Sequence, residues 1–554
     1  MAKAEDKNTR FRRLLPSVVL WLAAIIFYAA SSYNALLHGR TWTDEVAYLI
    51  KSYWYASGAA APFTASDATG TMPLYFFQLG FWQELVGIGL VNGRALSIAL
   101  GALSAVILFV VARRLTANTT IASAAVFAYL ATPATAYYFA TATPAASVAV
   151  IHLAAVWLVV SGLGRPRIWA SLLMGVLCTA LFFYSQNMIL AVIVLLPLYI
   201  LAIGRARLLN GALALGAAAA STAGMIYVFP EKLLHYALRM PGLTPLLESA
   251  GWAPTNFTFL DQGTVDAATM DLAFDQLDWA ALLDSFALPY SGTIVFALLL
   301  FVLAGKGLRV LWIAPLYFVW LSVAHFIGAA GTCATCMSAF APQFAAIGAF
   351  AAALTLAMGA RWARENDVSP VTLVIGSSIV IAGANAVAPQ WALSEEFAMF
   401  PLSRTSMERQ QTEEEKIGEL AQWIASRTSP GEPALVIHGV GGQHVPELTL
   451  AAFMAGHSMP PQSIDMLGTY RRIKTDLSGA AHEAVQGAVE EESLWSTATM
   501  RRWINRDYDL ILLQENPRVD QSERFIRINS FFNHIATTNF GGAAIHLYER
   551  RPAQ

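Results

Sequence analysis

Apolar residues in this chain come in long, nearly charge-free runs up to about residue 390, and in short helical or strand-like groups after it. A bilayer's hydrocarbon core is crossed by roughly 20 helical residues at about 1.5 Å each. Runs of that length lie near 14–36, 90–111, 119–139, 144–163, 168–184, 188–204, 208–229, 285–304, 308–329, 338–358 and 371–388. The pattern predicts a polytopic α-helical membrane protein with about eleven transmembrane helices.

Charge orients it. Arg12/Arg13, Arg113/Arg114, Arg165/Arg167, Arg205/Arg207, Lys306/Arg309 and Arg361/Arg364 fall at every second boundary, while the short turns at 140–143, 185–187 and 330–337 carry no Lys or Arg. Basic residues stay on the cytoplasmic side. The N-terminus is therefore expected in the cytoplasm, with two long loops (37–89 and 231–284) and residues 389–554 outside a plasma or inner membrane. The first span lacks a small-residue cleavage site and reads as a retained helix.

The predicted division is a membrane module, 1–388, and an extracytoplasmic α/β domain, 389–554. In the latter, Ile417, Leu420, Ala421 and Ile424 recur at helical spacing, and the runs at 434–437, 509–513 and 543–548 have strand character. Gly439-Val-Gly-Gly442 lacks the spacing of a dinucleotide-binding turn and reads as a structural one.

Of the 554 residues, 56% are hydrophobic and 13% charged, against about 25% charged in soluble domains. The net charge of −2 supplies no basic field for nucleic acid. Cys333 and Cys336 form a CxxC in an outer turn, where a disulfide can persist. Cys178 lies within a span and reads as a small apolar residue.

Candidate chemistry gathers in the first long loop. Asp44 and Glu45 are adjacent carboxylates just past the first span, suited to general-base work or to holding a hard cation (Mg, Mn or Ca), and equally to starting an interfacial helix over 45–57. Further on, Lys232, His235, Tyr236 and Arg239 share one face of a helical stretch, where they would meet headgroups or a phosphate or serve as snorkelling anchors. His325 lies inside the ninth expected span, where an ionisable residue is a functional candidate; a neutral histidine bonded to a neighbouring helix is the simpler account.

The order Asp44-Glu45-x-x-Tyr48, Ala56-Ser-Gly58, Met72-Pro73-x-Tyr75, an amphipathic segment and then Arg94 resembles the first outer loop of the GT-C glycosyltransferases, in the branch of the protein O-mannosyltransferases and the lipid A aminoarabinose transferase. The motifs cover about fifty residues; the architecture covers most of the chain. The resemblance implies a sugar donor on a polyprenyl phosphate, attacked with inversion at the anomeric carbon by a glycan, lipid or protein acceptor. It puts Asp44 at the catalytic position with Glu45 as a supporting carboxylate or cation ligand. Arg94, Lys232, Arg239 and Lys51 become donor-phosphate candidates. Tyr48, Tyr75, His235, Tyr236, Gln186 and His325 become substrate-lining ones.

Met72-Pro73 stands where that branch has Lys-Pro, Tyr184-Ser-Gln186-Asn187 lacks the lysine many relatives have, and no Arg-Tyr pair occurs around 337–342. Donor recognition then falls to other residues. A polymerase or ligase using the same lipid carrier shares this architecture. A transporter is expected to show internal repeats and mid-membrane charge; a scaffold or receptor has no use for Asp44-Glu45 beside an interfacial loop.

Overall fold

A computed structural model describes residues 7–39, 41, 43–59, 73–131, 133–162, 167–185, 188–203, 207–228, 412–437, 446–458, 508–515, 522–540 and 542–552. Elements are numbered among these residues. The expected spans over 285–388 and the second long loop lie outside them.

Among the described residues, ten helices precede residue 229: α1 Lys7–His38, α2 Thr43–Ser57, α3 Pro73–Val86, α4 Leu90–Thr116, α5 Thr119–Leu130, α6 Pro133–Tyr138, α7 Ala145–Gly162, α8 Ile168–Tyr184, α9 Ile189–Ala202 and α10 Arg207–Val228. Within them, Leu14–Leu37, Leu90–Thr116, Ala145–Gly162 and Leu208–Val228 are long and apolar enough to cross a membrane; Thr119–Leu130, Ile168–Tyr184 and Ala191–Ala202 are apolar but shorter. These seven segments lie where the first seven spans were expected, and the chain is a multi-pass membrane protein. The third expected span, 119–139, is interrupted. Helix α5 ends at Leu130 and the chain restarts as α6 on Pro133, a residue with no N–H to continue the ladder and a natural first helical residue.

Local sequence sets the ends. Arg113 and Arg114 occupy the last turn of α4, where cations complement the exposed carbonyls. Ala117 closes it in the left-handed region at φ 51°, its N–H donating to the Arg113 carbonyl. Asn118 then caps α5 by accepting from the Ile121 N–H at 3.1 Å.

Between spans the contacts use small and hydroxylic residues, as expected where apolar burial separates helices poorly from lipid. A Cβ on Gly175 of α8 would stand 2.3 Å from the Ala214 carbonyl oxygen of α10, so the two backbones touch. Thr179 meets Ser221 and Thr222 at 2.8 and 3.0 Å. Cys178 is buried in the same helix core.

The C-terminal elements are α11 Glu413–Ala425, β1 Ala434–Ile437, α12 Pro446–Met454, β2 Leu510–Gln514, α13 Ser522–Phe531, β3 Phe532–Phe540 and β4 Ala543–Arg550. Helix α11 opens with a capping box: the Thr412 hydroxyl accepts from the Glu415 N–H and the Glu415 carboxylate accepts from the Thr412 N–H. Ile417, Leu420, Ala421 and Ile424 form its buried face.

The strands form one sheet in the order β1-β2-β4-β3, parallel between β1 and β2 and antiparallel elsewhere. One face (Val436, Leu512, Ile545, Leu547) packs in a cluster with residues of α11 and α12; the other (Leu435, Ile511, Leu513, Tyr548) packs with Ile528 of α13. The first cluster continues without a break into Val46, Leu49, Ile50 and Tyr55 of α2 and Phe76 of α3. Phe453 of α12 sits edge-on to Tyr53 and Trp54 of α2 at 5.7 and 6.3 Å. The C-terminal elements are thereby seated on α2, at the end of the bundle where α1 finishes and α4 begins.

Candidate functional site

The site begins with an electrostatic problem at that end of the bundle. Helix α1 finishes with carbonyls that have no intrahelical partner, and α4 carries Arg94 in its second turn. Nη1 of Arg94 donates to the carbonyls of Ala35, Leu36 and Gly39 at 3.1, 3.2 and 3.0 Å. Its Nε and Nη2 donate to Oε1 and Oε2 of Glu45, both at 2.8 Å. Oε1 of Glu45 also accepts from the Ala142 N–H at 2.8 Å.

Both side chains are fully buried. Two ions withdrawn from water carry a desolvation cost of several kcal/mol each, offset here by bidentate geometry and by the backbone groups that saturate the pair. The product is a strut joining α1, α2, α4 and the turn before α7. Gly93 allows the approach, since a Cβ there would lie 2.6 Å from Leu49 Cδ2 and 3.0 Å from the Ala142 Cβ.

Helix α2 lies against α3 through Gly80, whose absent Cβ would fall 2.1 Å from the Ser52 carbonyl oxygen. Gln83 Nε2 donates to the Leu49 carbonyl at 3.2 Å. Tyr48 meets Tyr75 and Phe76 edge-on at 5.9 and 5.5 Å. Burial pushes the Tyr75 hydroxyl well above the usual tyrosine range, with Tyr48 and Glu45 adding to it, so it stays a neutral hydroxyl. Ser147 of α7 donates to Gln78 Oε1 at 2.8 Å, and Trp82 Nε1 donates to the Asn92 carbonyl at 2.7 Å, so α3 is fastened to α7 and α4 as well as to α2.

Helix α2 runs from Thr43, two residues earlier than the helix start expected at Glu45, so Asp44 is in its first turn. Positions 44, 48, 51 and 55 share one helical face by spacing. The structure thus brings together Asp44, Glu45, Tyr48, Lys51, Tyr75 and Arg94 on three neighbouring helices. Lys51 is buried, at 1% exposure, on the turn after Tyr48. Gln186, Lys232, His235, Tyr236, Arg239, His325, Cys333 and Cys336 lie outside the described residues.

Arg94, expected at a donor phosphate, has its guanidinium turned to Glu45 and α1. A divalent cation at Glu45 would lie against that guanidinium, whose charge opposes it, so Glu45 does not fit as a ligand. Among the described residues, no three His, Cys, Asp or Glu side chains form a group that could hold a metal.

One participant, the Ala142 amide, could not be read from the sequence, because a backbone donor leaves no residue signature.

No protein-family model and no curated protein matches the sequence. Solved structures do match the fold. The chain is similar to ArnT from Cupriavidus metallidurans bound to undecaprenyl phosphate, at 14% identity and a TM-score of 0.51 over 96% of this chain and 97% of that one. The apo form of the same protein matches at 14% identity and a TM-score of 0.50, with the same coverage.

Proposed function

We propose that the protein is a membrane glycosyltransferase that moves a sugar from a polyprenyl-phosphate donor to an extracytoplasmic glycan, lipid or protein acceptor, with inversion at the anomeric carbon. The observation that carries this reading is the Glu45–Arg94 strut, which fixes the first turn of α2, and with it Asp44, at the end of the first span of a GT-C fold.

In this reading the acceptor hydroxyl oxygen attacks the anomeric carbon from the face opposite the phosphate. The bond from that carbon to the phosphate oxygen breaks, and its electron pair leaves with the polyprenyl phosphate. Asp44 takes the hydroxyl proton as general base. The departing phosphate gains negative charge, which a buried ammonium stabilises more strongly than one in water. Lys51 supplies that charge, with Lys232 and Arg239 as the further candidates the sequence provides. Glu45 and Arg94 act as positioning residues. The Lys/Arg pattern supports an inner or plasma membrane orientation with the site facing outward.

The test is transfer of labelled sugar by the purified protein in lipid nanodiscs, from a panel of polyprenyl-phosphate sugars, with and without chelator. Transfer from at least one donor is expected, and the chelator arm decides whether a divalent cation takes part. Absence of both transfer and donor binding across the panel would overturn the reading.

A further inference from the structure

Helix α4, which carries Arg94, begins with an unmet need. Its N-cap is Gly89, which has no side-chain oxygen to offer the first-turn amides. Glu414, from the first turn of α11 more than 300 residues away, meets it: Oε2 accepts from the Val91 N–H at 2.9 Å. A Cβ on Gly89 would stand 2.6 Å from Oε1 of the same carboxylate, so the glycine that cannot cap its own helix also makes room for the group that does.

The three consecutive glutamates of α11 divide their tasks. Glu415 closes the capping box with Thr412, Glu413 pairs with Lys416 at 3.2 Å, and Glu414 reaches α4. Val91 lies one helical turn before Arg94. The path from the C-terminal elements to the site is therefore a short chain of bonds: Glu414 to Val91, along α4 to Arg94, and across to Glu45 on α2. A carboxylate at a helix N-terminus also meets the positive end of the helix dipole.

We infer that Glu414 is a positioning residue for the proposed transfer reaction, and that the C-terminal segment works as a brace that holds the Arg94–Glu45 strut in register. This rests on the transferase reading, and its test has one arm that does not.

In the full-length protein in nanodiscs, hydrogen exchange is followed in the peptide covering 87–95. Glu414→Ala is expected to raise exchange there about fivefold or more, the scale of a lost cap, while Glu414→Gln, which keeps an acceptor oxygen, stays near wild type. In the second arm, Glu414→Ala lowers kcat for sugar transfer several-fold with KM for the donor little changed, and Glu414→Gln restores most of it. Unchanged exchange in Glu414→Ala shows that the contact does not hold α4 and overturns the inference. Faster exchange with unaltered kcat overturns the link to the site. If wild type shows no transfer, the functional role falls with the transferase reading, and the exchange arm still decides whether Glu414 braces α4.

Discussion

Arg94 grips Glu45 with two parallel hydrogen bonds of 2.8 Å in a site closed to solvent, and its remaining nitrogen ends α1. Removing one partner strands the other. Glu45→Gln and Arg94→Met are each expected to destabilise the folded protein by about 3–5 kcal/mol, the scale for breaking a buried pair. The double variant Glu45→Met/Arg94→Met is expected to lose less than the sum. Thermal unfolding in detergent, followed by intrinsic fluorescence, measures both. Strict additivity would show that the two charges are not coupled.

Helix packing gives a second prediction, with an internal control. Gly80→Ala forces a methyl into the Ser52 carbonyl of α2 and is expected to cost about 1–3 kcal/mol. Gly418, inside α11, has open space around it. Gly418→Ala is expected to stabilise by up to about 1 kcal/mol through helix propensity alone. Melting temperatures that move the same way in both variants would contradict the packing account.

His457 ties the start of β1 to the helices beneath it. Its Nδ1 faces the Glu432 carbonyl at 3.2 Å and its Nε2 faces the Thr428 hydroxyl at 2.8 Å. Burial lowers its pKa from 6.5, against a smaller opposing effect from Glu432. The unfolded chain therefore binds this proton more readily than the folded one. The stability His457 contributes is complete above about pH 6.5 and declines as pH falls from there toward its folded pKa. His457→Gln is expected to flatten the fall in melting temperature between about pH 7 and pH 5. An unaltered slope would mean that other groups set it.

Much of this fold is legible in the chain because membrane helices and buried strands both advertise themselves by apolar runs. The helix over 413–425 was readable from Ile417, Leu420, Ala421 and Ile424, and strand β2 from its unbroken Leu/Ile sequence, every residue of which is buried. Strand β3 was not. It is an edge strand whose residues are largely exposed on both sides, so Phe532–Phe540 shows no apolar run to find. Pro133, which ends the helix pattern early, was present in the sequence but hidden inside a continuous hydrophobic stretch.

Of the residues singled out in the sequence, Glu45, Tyr48, Lys51, Tyr75 and Arg94 lie on neighbouring helices, and their contacts were not legible. The resemblance separates Asp44 from Glu45 as catalytic and supporting acids, but the partner of Glu45 appears only in the fold, which brings Arg94, 49 residues away, onto it. The same limit hid Glu414, whose partner is the Val91 amide. Capping across such a distance follows from topology and leaves no local spacing to recognise.

The measurement that bears most directly on the central claim compares wild type with Asp44→Asn in two readings, single-turnover sugar transfer and equilibrium binding of the polyprenyl-phosphate donor. The expected result is a loss of transfer of about 100-fold or more, the scale of a missing general base, with donor binding retained. Transfer by Asp44→Asn at the wild-type rate would contradict the assignment of Asp44 and, with it, the mechanism built on the α2 strut.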